Sequence, residues 1–135
     1  MNAQGPINIG EAARQSGVSA KMVRHYEELG LLGAVARSDA GYRRYAEREV
    51  HTLRFIRRAR DLGFSMAEIR TLLQLWQNRR RASADVKRIA LAHAQDLDRR
   101  IEEMTAMKST LMRLASCCEG NQRPDCPIID ELAGG

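Results

Sequence analysis

The chain has 135 residues, 44% of them hydrophobic but only 4% aromatic, and a formal net charge of +5. So few aromatic residues argue against a β-sandwich core and for a helical one, and the length suits one globular domain with an accessory element. No apolar run approaches the ~20 residues that span a bilayer. The first residues lack a basic region followed by an apolar segment, so no signal peptide is expected. The expected location is the cytoplasm, with no membrane partner.

The charge is unevenly placed. Residues 1–60 carry 11 Lys and Arg against 6 Asp and Glu, whereas residues 61–135 carry 11 against 11. The entire positive excess therefore lies in the first part of the chain, as a nucleic-acid-binding face requires. A merely solvated basic surface is the competing reading, which the motifs below weigh against.

Taken in chain order, residues 9–15 form a short helical pattern with Ile9, Ala12 and Ala13 on one face. Ser16, Gly17 and Val18 make a tight turn. Ser19 is placed to cap a second helix over 20–28, and Gly30 to end it. A helix, a glycine turn and a capped helix at this spacing form the helix-turn-helix pattern. Asp39-Ala40-Gly41 is turn chemistry between residues that favour extended structure, which predicts a small β-wing. A basic helix over 46–62 follows, with Val50, Leu53 and Ile56 inward and Gly63 as its stop. Ser65 and Glu68 are spaced as a capping box for a helix reaching about residue 77.

The last predicted helix runs from 83 to 117. A heptad frame puts Ala90, Leu97, Met104, Leu111 and Cys118 at one seam position, and His93, Arg100, Met107 and Leu114 at the other. The seam is narrow and its flanks are charged, so a dimeric coiled coil is expected rather than a helix folded onto its own domain. The domain reading is a winged helix-turn-helix over 1–78, a linker over 79–82, a dimerisation helix over 83–117, and a metal-binding loop with a short helix over 118–135.

Candidate DNA contacts follow from residue type. Lys21, Arg24 and Tyr26 lie on the second helix, and Tyr42, Arg43, Arg44 and Tyr45 on the wing, with Arg54, Arg57 and Arg58 beyond. Arginine and tyrosine suit phosphate oxygens, and arginine also suits guanine edges. Tyr26 and Tyr45 have a competing role in packing the core.

All three cysteines sit in the C-terminal segment. Cys118 and Cys126 bracket seven residues of Gly- and Pro-containing loop, enough to turn two sulfurs toward each other. Two thiolates with no third or fourth ligand in the neighbourhood suit a soft, low-coordinate ion better than zinc. A structural disulfide is the weaker reading for reduced thiols in odd number. Cys117 points elsewhere and is not needed. A monovalent ion on two thiolates leaves a charge of −1, and Lys87 is a candidate counter-charge. His25, His51 and His93 lie on separate helical segments without a nucleophile at motif spacing, and there is no phosphate loop, so an enzyme is not expected.

Several of these motifs together resemble the MerR family of bacterial regulators, and within it the copper-efflux regulator type (CueR or HmrR). They are Val23-Arg24-His25-Tyr26-Glu27, Gly41-Tyr42-Arg43-Arg44-Tyr45, the run from Ile56 to Phe64, Ser83-Ala84-Asp85-Val86-Lys87, and Asp125-Cys126-Pro127-Ile128-Ile129. The resemblance implies an antiparallel homodimer that brings the Cys118 end of one long helix beside the partner's Ser83 and Lys87. Ser83 stands where zinc and mercury members have a cysteine ligand, which implies Cu(I) as the effector, with Ag(I) and Au(I) as further candidates. It also implies promoter DNA and RNA polymerase as partners, and activation by bending and underwinding the DNA. Competing functions are a sensor of a divalent thiophilic metal or of thiol oxidation, and a coiled-coil interaction module without DNA function.

Overall fold

The computed structural model describes residues 5–78, 80, 83–122 and 124–134. It is mainly helical and divides into two compact units, Met1–Val86 and Lys87–Gly135. Of the expected linker over 79–82, only Arg80 falls within the described residues.

The first unit opens with α1 (Ile9–Ser16) and α2 (Ala20–Glu28), joined by a turn whose Gly17 has φ 76°. That left-handed conformation strains any residue with a Cβ, so glycine is what lets the two helices lie this close in sequence. Ser19 caps α2 through its side chain, which accepts the Met22 N–H at 3.2 Å. α1 has a cap that the sequence reading overlooked: Asn8 Oδ1 accepts the Glu11 N–H at 2.9 Å. Two short antiparallel strands, β1 (Ala36–Arg37) and β2 (Arg43–Arg44), form the wing, with Ala36 opposite Arg44. Next come α3 (Glu47–Asp61) and α4 (Met66–Gln77). The Ser65–Glu68 capping box forms in both directions, at 2.8 and 3.2 Å.

One core joins these elements. Val23 and Tyr26 from α2, Leu53 and Ile56 from α3, Ile69 and Leu73 from α4, and Tyr45 from the base of the wing are all buried in it. At about 25 cal/mol per Å² of apolar surface removed from water, full burial of each large side chain contributes about 1.5–3 kcal/mol. Ile7 and Tyr45 exchange backbone hydrogen bonds at 2.7 and 2.8 Å, which anchors the wing to the start of the chain.

The second unit is built on α5 (Ser83–Ser116), 34 residues long, followed by a loop and α6 (Pro127–Leu132). Leu97, Ile101, Met104 and Leu111 recur along one stripe of α5 and are exposed, with Met107 beside them. His93, at the second seam position, is buried. Ion pairs Arg99–Asp96, Arg99–Glu103 and Arg100–Asp96 decorate the helix. They are surface pairs and add little to stability. Among the described residues no helix is long and apolar enough to cross a membrane.

Tyr45 offers a direct check on this core. Burial, then the hydrogen bond to Glu27, push its phenol from 10.0 up to about 12. A folded pKa above the unfolded one means that the protonated phenol stabilises the fold below pH ~10. That contribution is lost as pH rises from about 10 to 12. Tyr45→Phe should therefore flatten the alkaline fall in stability, measured by urea melts across that window. Equal slopes in both proteins would contradict the burial of this hydroxyl.

Candidate functional site

Two sites stand out, one in each unit. The first faces the groove between α2 and the wing. Arg24, Tyr42, Arg43 and Arg44 line a cleft of about 350 Å³ together with Asn8 and Ile9 from the start of α1. Tyr42 is 73% exposed at the wing. Lys21 and Arg24 are exposed on α2, as is Arg44 on β2.

The candidates do not all play the same part. Tyr26 and Tyr45 are only 5% and 0% exposed, so neither side chain reaches a ligand, and both are removed from the contact set. Their rings fill the core because positions 23 and 26 share the inward face of α2 and Tyr45 closes the base of the wing. Arg43 is half-buried, and its Nε lies 2.9 Å from the Glu27 carboxylate. Tyr45 Oη donates to the same carboxylate at 2.8 Å. Glu27 thus ties β2 and its base to α2. Arg37 steadies the wing's tip by donating to the Gly41 carbonyl at 3.0 Å. Glu27 was missed in the sequence because its partners lie 16 and 18 residues away, and Arg37 because a side chain bonding a carbonyl four residues on leaves no sequence signature. The remaining exposed candidates are Lys21, Arg24, Tyr42 and Arg44, of which Arg24, Tyr42 and Arg44 line the cleft.

The second site is the C-terminal loop. Cys118 and Cys126 come together with their sulfurs 3.9 Å apart. A disulfide would need about 2.05 Å, and both thiols are free. Metal–thiolate bonds of about 2.3 Å on each side span up to about 4.6 Å, so the two sulfurs lie within reach of one shared soft ion. Cys117 is exposed and stands outside the pair. Among the described residues no group of three or more His, Cys, Asp or Glu converges. Among the described residues the pair offers two sulfur donors, a set that suits a low-coordinate soft ion better than a structural zinc site.

Local structure explains the pairing. α5 ends at Ser116, and the Cys118 N–H still bonds to the Ala115 carbonyl at 3.1 Å, so Cys118 stays fixed to the helix end. Gly120, with φ 65°, turns the chain. Cys126 is the N-cap of α6, with Pro127 at its first position. The Ile129 N–H, then that of Ile128 and the Cys118 thiol, hold the Cys126 pKa below its ordinary value, against desolvation and the charge of Asp130. A lowered pKa favours the thiolate, the form that binds metal.

Ser83 and Lys87 are not near this pair within one chain. Lys87 lies 31 positions before Cys118, roughly 45 Å along a helix rising about 1.5 Å per residue, and Ser83 is the first residue of the same helix. Any role for them at the thiols requires a second copy.

The chain is similar to known proteins over nearly its whole length. Residues 7–76 match the model of MerR HTH family regulatory proteins, and residues 50–114 match that of the MerR DNA-binding region. A "Heavy metal-dependent transcription regulator 2" of Rhizobium meliloti is 54% identical over 129 residues, covering 96% of this chain and 88% of its own. The chain belongs to the MerR family. The regulator CueR of Salmonella typhimurium is 40% identical over 128 residues, with 95% and 93% covered. The crystal structure of PbrR691 from Ralstonia metallidurans, in complex with lead(II), superposes with a TM-score of 0.80 at 32% identity, covering 93% of this chain and 98% of that one. The MerR-family chain is a helix-turn-helix transcription regulator and not an enzyme.

The thiol geometry predicts a measurable reactivity. In the reduced, metal-free protein, iodoacetamide should alkylate Cys126 at a pH where an ordinary thiol, pKa about 8.5, is still mostly protonated. Mass spectrometry of the C-terminal peptide reads the midpoint. A midpoint at or above that ordinary value would contradict thiolate stabilisation by the α6 N–H groups.

Proposed function

We propose that this regulator senses a monovalent thiophilic ion, Cu(I) and by the same chemistry Ag(I) or Au(I), and activates efflux or detoxification genes in response. The observation that carries the proposal is the Cys118–Cys126 pair, 3.9 Å between sulfurs with no third donor converging among the described residues. Ser83 supports it, because a serine offers only a weak neutral oxygen where a divalent ion would want another thiolate. The copper-efflux resemblance supports it too, with 40% identity to CueR.

In this reading the protein works as a homodimer on promoter DNA in the cytoplasm, where thiols stay reduced. The exposed stripe of Leu97, Ile101, Met104 and Leu111 supports a helix partner along α5. An antiparallel arrangement would bring the partner's Ser83 and Lys87 to the thiols, with the lysine offsetting the site's negative charge. Lys21, Arg24, Tyr42 and Arg44 would hold the DNA, steadied by the Glu27 link behind them.

The bound ion would supply a bridge between the end of α5 and the start of α6. The rest falls to the chain. Cys118 at the end of α5 and Cys126 at the start of α6 would hold the ion, so that α6 keeps one position against α5. The dimer then favours the geometry that bends and underwinds the promoter for RNA polymerase. Such a switch requires tighter ion binding in the activating state than in the repressing one. A divalent-metal sensor is the second reading, and the lead(II) complex of PbrR691 favours it.

A reporter assay against Cu, Ag, Zn and Hg salts separates the two. Cys118→Ser and Cys126→Ser should abolish induction, Cys117→Ser should keep it, and Ser83→Cys should admit zinc or mercury. Wild-type induction by zinc equal to that by copper would overturn the monovalent reading.

A further inference from the structure

Besides the Gly17 turn at its start and the Glu27 link to the wing, α2 has an attachment that comes from α4. Arg70 Nη2 donates to the Leu29 carbonyl at 2.9 Å, across 41 residues of chain. Leu29 is the C-cap of α2. The last carbonyls of a helix have no partner within it and carry the negative end of its dipole, so a guanidinium is a fitting cap. Here another helix supplies that cap. α4 is itself held to α3, because Trp76 stacks on Phe55 with ring centroids 4.7 Å and planes 9° apart. The loop after α2 and the end of α4 border a cavity of about 540 Å³, with Gly30, Leu31, Leu32, Trp76 and Gln77 on its walls. These two segments are therefore not close-packed, and a directional bond links α4 to the end of α2 instead.

We infer that Arg70 is a positioning residue that couples α4 to α2, so that a shift of α4 moves the DNA-facing helix. The inference rests on the ion-activated reading above and adds a route to it. α4 is the last helix before α5 in the chain, ending at Gln77 with α5 starting at Ser83. A change that the ion imposes on α5 passes along the chain to α4 before any other helix of the first unit. Arg70 is exposed and lies outside the cleft between α2 and the wing. It therefore acts on DNA through α2 and not by touching it. A coupling residue works only through a difference between two states. Its loss must change the effect of the ion more than it changes binding without the ion.

The test uses the full-length protein with two substitutions. Arg70→Met keeps the aliphatic stem and removes the donors, and Arg70→Lys keeps a cation and a donor. Four quantities are measured: promoter affinity by fluorescence anisotropy with and without Cu(I), transcription in vitro from the same promoter, Cu(I) affinity of the DNA-free protein against a chromophoric chelator, and the urea midpoint. Arg70→Met should lower the Cu(I) induction ratio by roughly 3- to 10-fold, with ion-free promoter affinity and Cu(I) affinity within about twofold of wild type. Arg70→Lys should recover most of the induction. Wild-type induction in Arg70→Met overturns the inference. An equal loss of promoter affinity with and without Cu(I) also overturns it, as does a lowered urea midpoint with equal loss in both variants, because each makes Arg70 a fixed strut. A wild type that neither Cu(I) nor any other thiophilic ion induces sinks the activation reading itself, which is a separate failure.

Discussion

Glu27 is the residue on which the DNA-facing geometry turns. Its carboxylate sits on α2 and receives both Arg43 Nε, at 2.9 Å, and Tyr45 Oη, at 2.8 Å. A two-stranded wing of two residues each has almost no stability of its own. It holds a fixed angle to α2 because this charge-assisted pair of bonds and the Ile7–Tyr45 bridge pin it at its base. The exposed side chains Arg24, Tyr42 and Arg44 inherit their spacing from that anchor. Arg43 contributes as a strut, and that use explains why one arginine of the wing is half-buried while its neighbour is exposed.

The second unit poses the opposite problem. α5 exposes an apolar stripe across several turns, and no described residue of the unit covers it. A stripe of this kind is what a coiled-coil partner buries. The thiol pair is placed at the far end of the same helix, so the ion site and the proposed dimer seam share one rigid element. An ion held between Cys118 and Cys126 would be felt along α5 through helix rigidity, without a chain of side-chain contacts. The proposed coupling therefore needs few residues, and those residues can be named.

Much of this was legible in the sequence because it depends on local rules. α2 begins and ends at Ala20 and Glu28, as its serine cap and Gly30 imply, and the Ser65–Glu68 box forms as written. The cysteine pairing was legible too, since a seven-residue loop with a glycine has few ways to close. Asn8 could have been read as a cap, given Glu11 three residues later. The roles of Tyr26 and Tyr45 were not legible, because an aromatic residue among arginines serves a core or a ligand equally well until the fold chooses. Glu27 with Arg43 is a contact across 16 residues, beyond any local rule. The placement of Ser83 and Lys87 beside the thiols was implied only by the family resemblance, and a single chain puts them at the opposite end of a helix.

The central claim is that two sulfurs of one chain hold a low-coordinate ion. X-ray absorption of the reduced protein loaded with Cu(I) tests it most directly. The account predicts one ion per chain with two sulfur neighbours and no nitrogen. A shell of three or four sulfur or nitrogen donors, or zinc retained in preference to copper under competition, would contradict it.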